Sequence, residues 1–395
     1  MIEILRRLDV AVVVVASLVV FLDEACGTRS CSTVTTFNTG LTPKVREYRD
    51  RRHRIADALA AEDADVLCLQ EMWFEDDMRN VINNLSSIYP HHYSPIHTGR
   101  NKLEDDSSWH LFAYSACSMS DIIAMFVHIV PCIQRRDCWD EFSRSSAEGV
   151  SCLARNCSKV LQRQSIGADC LSCMILSSSG VSDIYDRCYQ ISGADLRLNP
   201  PGLMLLSKRP LYNTIYTPFF EGDMMLNRGI IQADILGVGK IACTHLTYPL
   251  PLYLEYDLPF TTYKEQSEQE IANIHALLGT SNHILAGDLN TGKAVSSSDP
   301  EKNLIARAPQ SINNLTSFGY DTDKYLTDDG RCTFCKSSNS LVRRRRNIAI
   351  DDVLVMGDAF SCIRKQRVLD QANLSLSDHY GVRATLCTNH SSSTN

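Results

Sequence analysis

Short apolar runs that end in polar residues recur along the chain, and they predict buried β-strands. Residues 33–38 are rich in β-branched side chains, and residues 66–69 are wholly apolar and end just before Glu71. Further runs of this kind cover residues 91–96, 202–207, 227–235, 240–245, 283–286, 348–355 and 381–386. The runs at 227–235 and 240–245 are joined by Leu-Gly-Val-Gly, which favours a hairpin.

Amphipathic stretches between some of these runs predict helices that cover the sheets. Apolar and long side chains recur at spacings of three and four from Val45 to Leu59, with Thr42 and Pro43 as N-cap and first helical position. Four arginines near that helix are predicted to be solvated: Arg46, Arg49, Arg51 and Arg54. Further helices are predicted at about 74–87 and at 262–278, the latter ending at Gly279. The pattern predicts an α/β fold of two sheets face to face, with helices outside.

Residues 101–200 interrupt this rhythm and contain eight of the sixteen cysteines. We interpret them as an insertion held by disulfides, whose connectivity the sequence leaves open among about 105 pairings. A zinc site made by the Cys170-x-x-Cys173 and Cys332-x-x-Cys335 motifs is the alternative. Cys68 and Cys243 fall within predicted core strands, and we expect buried free thiols there.

The N-terminus has the pattern of a targeting segment. Arg6 and Arg7 precede an apolar run at 10–22, so residues 1–26 are interpreted as a signal peptide, with an uncleaved membrane anchor or a core strand as alternatives. The cysteine count and five Asn-x-Ser/Thr acceptors favour a secreted or lumenal glycoprotein with disulfides. The net charge of −7 does not exclude phosphate chemistry, because a bound metal can offset it.

Polar side chains suited to metal-assisted hydrolysis lie at or beyond the ends of the predicted strands. Glu71 follows a buried strand, where a carboxylate is costly unless it faces water or a cation. Asp288 and Asn290 flank one residue and point to the same side of an extended segment, although a turn would also use them. His245 and His379 offer groups that titrate near neutral pH. This set favours Mg²⁺ and an activated water that attacks a phosphate ester.

Taken in order, these motifs resemble those of the endonuclease/exonuclease/phosphatase superfamily, which includes deoxyribonuclease I and neutral sphingomyelinases. The matching positions are Asn38, Gln70-Glu71, Thr244-His245-Leu246, Gly287-Asp288-Leu289-Asn290, Ile350-Asp351 and Ser377-Asp378-His379. The resemblance covers residues 31–100 and 201–388. It implies a four-layered α/β sandwich and a catalytic domain at 31–388, interrupted by the insertion at 101–200.

The resemblance also implies a metal site and a catalytic base. Glu71 would be the principal ligand of Mg²⁺, or of Mn²⁺, with Asn38 nearby. His379 would be the general base, oriented by Asp351. The next residue, Asp352, departs from the aromatic that is common there, and we expect this extra carboxylate to affect metal number or pH dependence.

The remaining matched positions would act on water and phosphate. Asp288 would help to position the attacking water, while Asn290 and His245 would hold and polarise the phosphate. Asp378 would support the site through hydrogen bonds or the metal. The assignment of base and acid between His245 and His379 stays open.

Three functions fit this sequence, and a phosphodiester substrate is common to the first two. Residues 38–41 and 376–381 look similar to the sphingomyelinase branch, and the apolar, proline-rich residues 248–260 are a candidate contact with a membrane, with ordinary packing as the alternative. A secreted endonuclease could grip nucleic acid through the arginines at 343–346, although a solvated loop would look the same. The third is a catalytically inactive binding module. The sequence leaves the oligomeric state open.

Overall fold

The structure is a computed structural model whose two main β-sheets pack face to face. It describes residues 30–96, 116–144, 152, 156–157, 166–177, 184–189, 198–220, 226–248, 260, 262–322, 325–342, 346–358, 360–371 and 375–388. Its strands in chain order are β1 Ser30–Leu41, β2 Val66–Met72, β3 His91–Tyr93, β4 Met204–Ser207, β5 Leu211–Pro218, β6 Gly229–Ile235, β7 Gly239–His245, β8 His283–Asp288, β9 Phe334–Cys335, β10 Asn347–Ile348, β11 Asp351–Met356, β12 Phe360–Val368 and β13 Gly381–Thr388.

The first sheet has the strand order β12-β13-β1-β2-β4-β3, and the second has the order β11-β8-β7-β6-β5. Both sheets are mixed, because β1 with β2 and β7 with β8 are parallel pairs while the other neighbours are antiparallel. The alternation of side chains along each strand sends one set into the interface between the sheets. Val34, Val66, Ile231, Ile284 and Val353 belong to that buried core.

Helices cover the outer face of each sheet and complete a four-layered α/β sandwich, which confirms the predicted fold. The helices in chain order are α1 Tyr48–Glu62, α2 Glu75–Leu85, α3 Met119–Ala124, α4 Val130–Arg135, α5 Cys138–Arg144, α6 Ala168–Leu176, α7 Tyr263–Leu278 and α8 Pro309–Phe318. Helices α1 and α2 share an apolar cluster with the first sheet, and α7 and α8 share another with the second. Thr262 caps α7 through a capping box, and Gly279 ends the helix.

Helix α1 begins later than its sequence pattern indicates. The predicted start at Thr42 and Pro43 is wrong, because the Thr42 hydroxyl donates to the Leu176 carbonyl (2.6 Å) and Glu47 adopts a left-handed conformation (φ 59°) just before the helix. The segment before α1 is therefore a turn that contacts α6.

Arg51, predicted to be solvated, is fully buried. Its guanidinium group donates to the carbonyl oxygens of Thr39 (3.0 Å), Gly40 (2.6 Å) and Leu376 (2.8 Å). Backbone carbonyls that sheet pairing leaves free around the end of β1 supply these acceptors, so burial of the charge is compensated. The prediction failed because helical spacing does not show which loops will fold over a helix.

Seven disulfides join described cysteines, as is typical of extracellular or secretory-pathway proteins. Cys68 and Cys243 are bonded to each other across the sandwich core, so the expectation of free thiols is wrong. Each lies on the inner face of its own sheet, which brings two sulfurs within bonding distance although 175 residues separate them.

The two Cys-x-x-Cys motifs do not combine into a zinc site. Cys332 and Cys335 pair with each other, whereas Cys170 pairs with Cys117. The remaining pairs between positions 116 and 189 are Cys132–Cys157, Cys138–Cys152 and Cys173–Cys188. The eight cysteines of this stretch therefore cross-link it internally, and its described residues are called the cysteine-rich segment below.

The cysteine-rich segment packs on the sandwich through the residues that follow β2. Trp73 and Phe74 are buried in one apolar cluster with Ile129, Ile133 and six half-cystines of the segment. Since Glu71 lies two positions before Trp73, the segment adjoins the end of β2 that carries a predicted site residue.

Some predicted features lie outside the described residues. They include the N-terminal segment at 1–26, most of the apolar stretch at 248–260 and three of the four arginines at 343–346. Within the stretch at 248–260, Tyr248 stacks under Arg307 (4.0 Å to the ring centroid) and Phe260 packs on Phe220 (4.8 Å between centroids). Among the helices that the structure describes, none has the length and apolar character to cross a bilayer.

Candidate active site

The predicted site residues converge where the two sheets meet at one end of the sandwich. Asn38 lies near the end of β1, and Asp288 ends β8 of the opposite sheet. The Asn38 side-chain amide donates to the Asp288 carboxylate (3.0 Å), so this hydrogen bond connects the two sheets. Asp351 pairs with Asp288 in the β8–β11 register, which places a second carboxylate beside the first.

Glu71 extends this cluster from β2. It has a left-handed backbone (φ 58°), which is uncommon for a residue other than glycine and turns the side chain at the strand end. Its carboxylate accepts a hydrogen bond from the Asn38 amide (3.2 Å), so Asn38 links Glu71 to Asp288. Glu71 is half-buried, and its carboxylate is therefore the member of this group that solvent or a ligand can reach.

His379 and Asp351 form a buried pair. The His379 Nδ1 atom lies 2.9 Å from the Asp351 carboxylate, and Phe334 packs edge-on against the imidazole ring (5.1 Å between centroids). Burial alone would lower the pKa of His379, but attraction to Asp351, and then to Asp288, outweighs it and raises this pKa to about 10. The Asp351 carboxylate therefore favours the protonated form of His379 when no cation is bound.

His245 contacts the same carboxylate from the other side. Its Nε2 atom lies 3.3 Å from the Asp288 carboxylate, and its ring centroid is 6.5 Å from that of Trp73. Burial, and then repulsion by Arg228, lowers the pKa of His245. Burial would raise the pKa of Asp288, but His245 and His379 together hold it well below its usual range. Asp288 is thus a buried carboxylate between two imidazole rings.

Asn290 is held by three hydrogen bonds around the same turn. Its backbone is left-handed (φ 49°), and its N–H donates to Asp288 Oδ1 (2.9 Å). Its side-chain amide donates to the Leu246 carbonyl (2.9 Å) and accepts from Arg307 (3.2 Å). Asn290 therefore fixes Asp288 relative to Leu246. This is the structural role in a turn that the sequence allowed as an alternative to phosphate binding.

Asp378 lies on a different loop from Glu71, but its carboxylate is close enough to feel the charge of Glu71. Burial and then the nearby Glu71 raise the pKa of Asp378, while His379 and Arg51 oppose that rise. Gly40 adopts a positive φ of 54° here, and a β-carbon on it would lie 2.8 Å from Asp378 Oδ1. The glycine is required by this close approach, and it gives Asp378 its place against the end of β1.

The donor set fits a divalent cation that prefers oxygen ligands. One atom from each of Asp288, Asp351 and His379 lies within 4.8 Å of the other two, and Glu71 is linked to this group through Asn38. Carboxylate oxygens are among the groups that Mg²⁺ prefers, and the mutual repulsion of these carboxylates would be relieved by a cation.

A family model described as the endonuclease/exonuclease/phosphatase family matches residues 35–379. The chain belongs to this family. No curated protein matches the sequence.

Solved structures with the same fold show low sequence identity. SmcL is similar with a TM-score of 0.50 and 13% identity, over 91% of this chain and 99% of that one. A beta toxin structure from Staphylococcus aureus gives 0.50 and 12%, over 89% and 99%. Sphingomyelinase C from Streptomyces griseocarneus gives 0.49 and 14%, over 91% and 99%.

Sequence reasoning missed Arg228, which immediately precedes β6. Its guanidinium carbon lies 5.7 Å from the Trp73 ring centroid, and one terminal nitrogen is buried without a hydrogen-bond partner among the described residues. Glu270, Glu71 and Asp288 are the acidic groups whose charge acts on it. A buried donor without a partner is costly, so this nitrogen is a candidate to bind an anion. No motif in the sequence singles out this arginine.

Asp352 was expected to add a carboxylate to the site, but its side chain points away from it. Its carboxylate accepts a hydrogen bond from the buried Lys365 ammonium group (2.7 Å) on β12. Burial raises the pKa of Asp352 to about 7, against the opposing effect of Lys365. Successive residues of β11 point to opposite faces, so Asp351 joins the site while Asp352 joins a buried ion pair.

Proposed function

We propose that this protein is a metal-dependent phosphodiester hydrolase that uses a histidine-activated water. The observation that carries the proposal is the contact of Asn38 with Glu71 and Asp288, beside the Asp351–His379 pair. Residues from five separate stretches of sequence thus form one acidic, histidine-containing site. Membership of the endonuclease/exonuclease/phosphatase family supports phosphodiester chemistry.

In this proposal Glu71 would hold the cation, Mg²⁺ or alternatively Mn²⁺, with Asn38 beside it orienting the Glu71 carboxylate, and Asp378 would support them from the neighbouring loop. A bound cation would supply charge stabilisation at the phosphoryl oxygens. His379 takes the proton of the attacking water, and Asp351 fixes its ring and stabilises the resulting imidazolium. A bound cation would lower the raised pKa of His379, as the role of general base requires.

The other side of the site serves the water and the phosphate. Asp288 is close enough to both imidazole rings to orient a water between them. In this proposal the ring N–H of His245, which contacts Asp288 in the absence of substrate, donates a hydrogen bond to a phosphoryl oxygen when the substrate binds. Asn290 acts by fixing Asp288, and the unpartnered nitrogen of Arg228 provides a second donor for the phosphate.

For the substrate we favour a lipid headgroup of the sphingomyelin type over nucleic acid. The support is a set of exposed large apolar side chains in helices of the cysteine-rich segment. They are Met119, Ile123, Phe126, Val127 and Trp139, each at least half exposed. Clustered exposed apolar residues are typical of surfaces that contact membranes or proteins. Since the segment packs on Trp73, such a contact would bring a bilayer near the site.

A secreted endonuclease is the second candidate function, because the same site chemistry acts on any phosphodiester. Arg228 and Arg307 supply positive charge beside the acidic cluster. We further propose that the catalytic domain spans residues 31–388 with an insertion at 101–200, and that the protein is secreted or lumenal through a signal peptide or anchor at 1–26.

The deciding experiment is a substrate panel assayed with Mg²⁺ and with EDTA. It contains sphingomyelin vesicles, lysolipids, plasmid DNA and inositol phosphates, and it compares the wild type with Glu71→Gln and His379→Ala. We expect turnover of sphingomyelin that needs the cation and both side chains. Turnover that survives complete chelation would refute the metal role, and rapid nicking of DNA with inert lipid would establish the endonuclease. Folded protein that is inactive on every substrate would support a binding module.

A further inference from the structure

A four-residue loop closed by the Cys332–Cys335 disulfide lies directly behind the Asp351–His379 pair. Both half-cystines are fully buried, and Thr333 between them is 1% exposed. The Thr333 hydroxyl oxygen accepts hydrogen bonds from the backbone N–H groups of Ile350 (3.0 Å) and Asp351 (3.2 Å). This hydroxyl therefore fixes the backbone at the start of β11, whose first residue is Asp351.

The same threonine also fixes the backbone that carries His379. The Thr333 carbonyl accepts a hydrogen bond from the N–H of Tyr380 (2.8 Å), and the Thr333 N–H donates to the Ile348 carbonyl (3.1 Å). The next residue, Phe334, packs against the His379 ring. Thr333 thus holds the main chain next to both Asp351 and His379. Asp351 lies on β11 of the second sheet, whereas His379 lies just before β13 of the first.

The disulfide and its surroundings prevent this loop from shifting. Cys332 donates through its N–H to the Glu301 carbonyl (2.9 Å) and accepts from Arg367 (3.3 Å). Asn339 donates through its N–H to the Cys335 carbonyl (3.0 Å) and through its side chain to the Ser377 carbonyl (2.8 Å). The loop is therefore tied to the segment that precedes His379 at a second point.

We propose that Thr333, held by the Cys332–Cys335 disulfide, is a positioning residue for the Asp351–His379 pair. The inference rests on the proposed hydrolase function, but its physical content is the geometry of that pair. The Thr333 hydroxyl accepts two hydrogen bonds and still carries a proton of its own, and the Asp351 carboxylate lies within its reach. Outer partners of this kind orient the groups that do chemistry, and their loss costs about 10- to 100-fold in activity.

The test compares Thr333→Val, which keeps the shape and removes the hydroxyl, with Thr333→Ser, which keeps the hydroxyl. We expect kcat to fall about 10- to 100-fold in T333V with KM within about twofold of the wild type, and T333S to restore most of kcat. Thr316→Val is the control, because the Thr316 hydroxyl bonds to the Ile312 carbonyl within α8 and to the Thr322 hydroxyl in the turn after it, away from the site. Wild-type kcat in T333V, or an equal loss in T333S, would overturn the proposal.

A readout without turnover separates this inference from the proposed function. The hydrogen-bonded ring N–H proton of His379 is followed by NMR in the metal-free protein and assigned by its absence in His379→Ala. We expect its signal to move or broaden in T333V and in the double variant C332S/C335S. It should stay in place in T316V and in C132S/C157S, which lacks a disulfide of the cysteine-rich segment. An unchanged signal in T333V and C332S/C335S refutes the positioning role, whereas an inactive wild type refutes the hydrolase alone.

Discussion

The rim of the sandwich and the cysteine-rich segment are built by different physical means. At the rim, Asn38, Asp288 and Asp351 are fixed by strand pairing within two large sheets and by a shared apolar core. The cysteine-rich segment has helices of six to nine residues, and half-cystines make up much of its apolar cluster. A large core fixes side chains to the accuracy that catalysis needs, while a small core requires covalent cross-links to stay folded.

The two regions also present different surfaces. The rim buries charged side chains that pair with one another, as in His379 with Asp351. The cysteine-rich segment exposes apolar side chains such as Phe126, which is 65% exposed. We propose from this difference that the two regions have separate functions: the rim performs the chemistry and the cysteine-rich segment contacts a partner surface. The predictions below test that division.

The largest expected effect is on turnover. His379→Ala should lower kcat by about 10²- to 10⁴-fold, because the proposed general base is lost. His128→Ala in the cysteine-rich segment is the control, since that histidine is exposed and should leave kcat unchanged. The measurement is steady-state kinetics on the substrate that the panel identifies. Equal losses in the two variants would contradict the division between rim and segment.

The disulfides of the two regions should differ in their effect on stability. Cys68–Cys243 closes a span of 175 residues, and Cys138–Cys152 closes one of 14. By loop entropy, removal of the first with two serines should lower the free energy of unfolding by about 5 kcal/mol, and removal of the second by about 3 kcal/mol. Urea unfolding of both double variants measures this difference. A larger loss in C138S/C152S would show that the segment, and not the sandwich, limits global stability.

The stability of the metal-free rim should depend on pH through His379. Its folded pKa of about 10 lies above the unfolded value of about 6.5, so its stabilising contribution is fully present below pH 6.5 and is lost as pH rises to about 10. With EDTA present, we expect the difference in unfolding free energy between the wild type and His379→Ala to shrink over that window, by on the order of 5 kcal/mol. A difference that grows with pH would reject the Asp351–His379 ion pair.

The smallest effect is expected on membrane affinity. The double variant I123S/F126S removes two exposed apolar side chains of the cysteine-rich segment and should weaken binding to sphingomyelin vesicles by about 10- to 100-fold. The matched control is I215S/L236S, which removes two exposed apolar side chains of the sandwich and should leave binding unchanged. Vesicle co-sedimentation measures both. Equal binding of the two variants would remove the support for a lipid-facing segment.

The sequence alone was sufficient for the fold and for the identity of the polar residues at the strand ends. Apolar runs that end at Glu71, Asp288 and His245 predicted strands, and the structure confirms a four-layered sandwich. The order of the motifs predicted family membership, which is confirmed. These properties follow from local periodicity and residue type, which a single chain displays directly.

Only the tertiary structure decided which of these residues meet and which charges are buried. The bond between Cys68 and Cys243, the burial of Arg51 among carbonyl oxygens and the pairing of Asp352 with Lys365 all join distant segments. The contact of Thr333 with the strand that carries Asp351 is of the same kind. Such contacts depend on how two sheets and their loops pack, and neither spacing nor residue type along the chain records that packing.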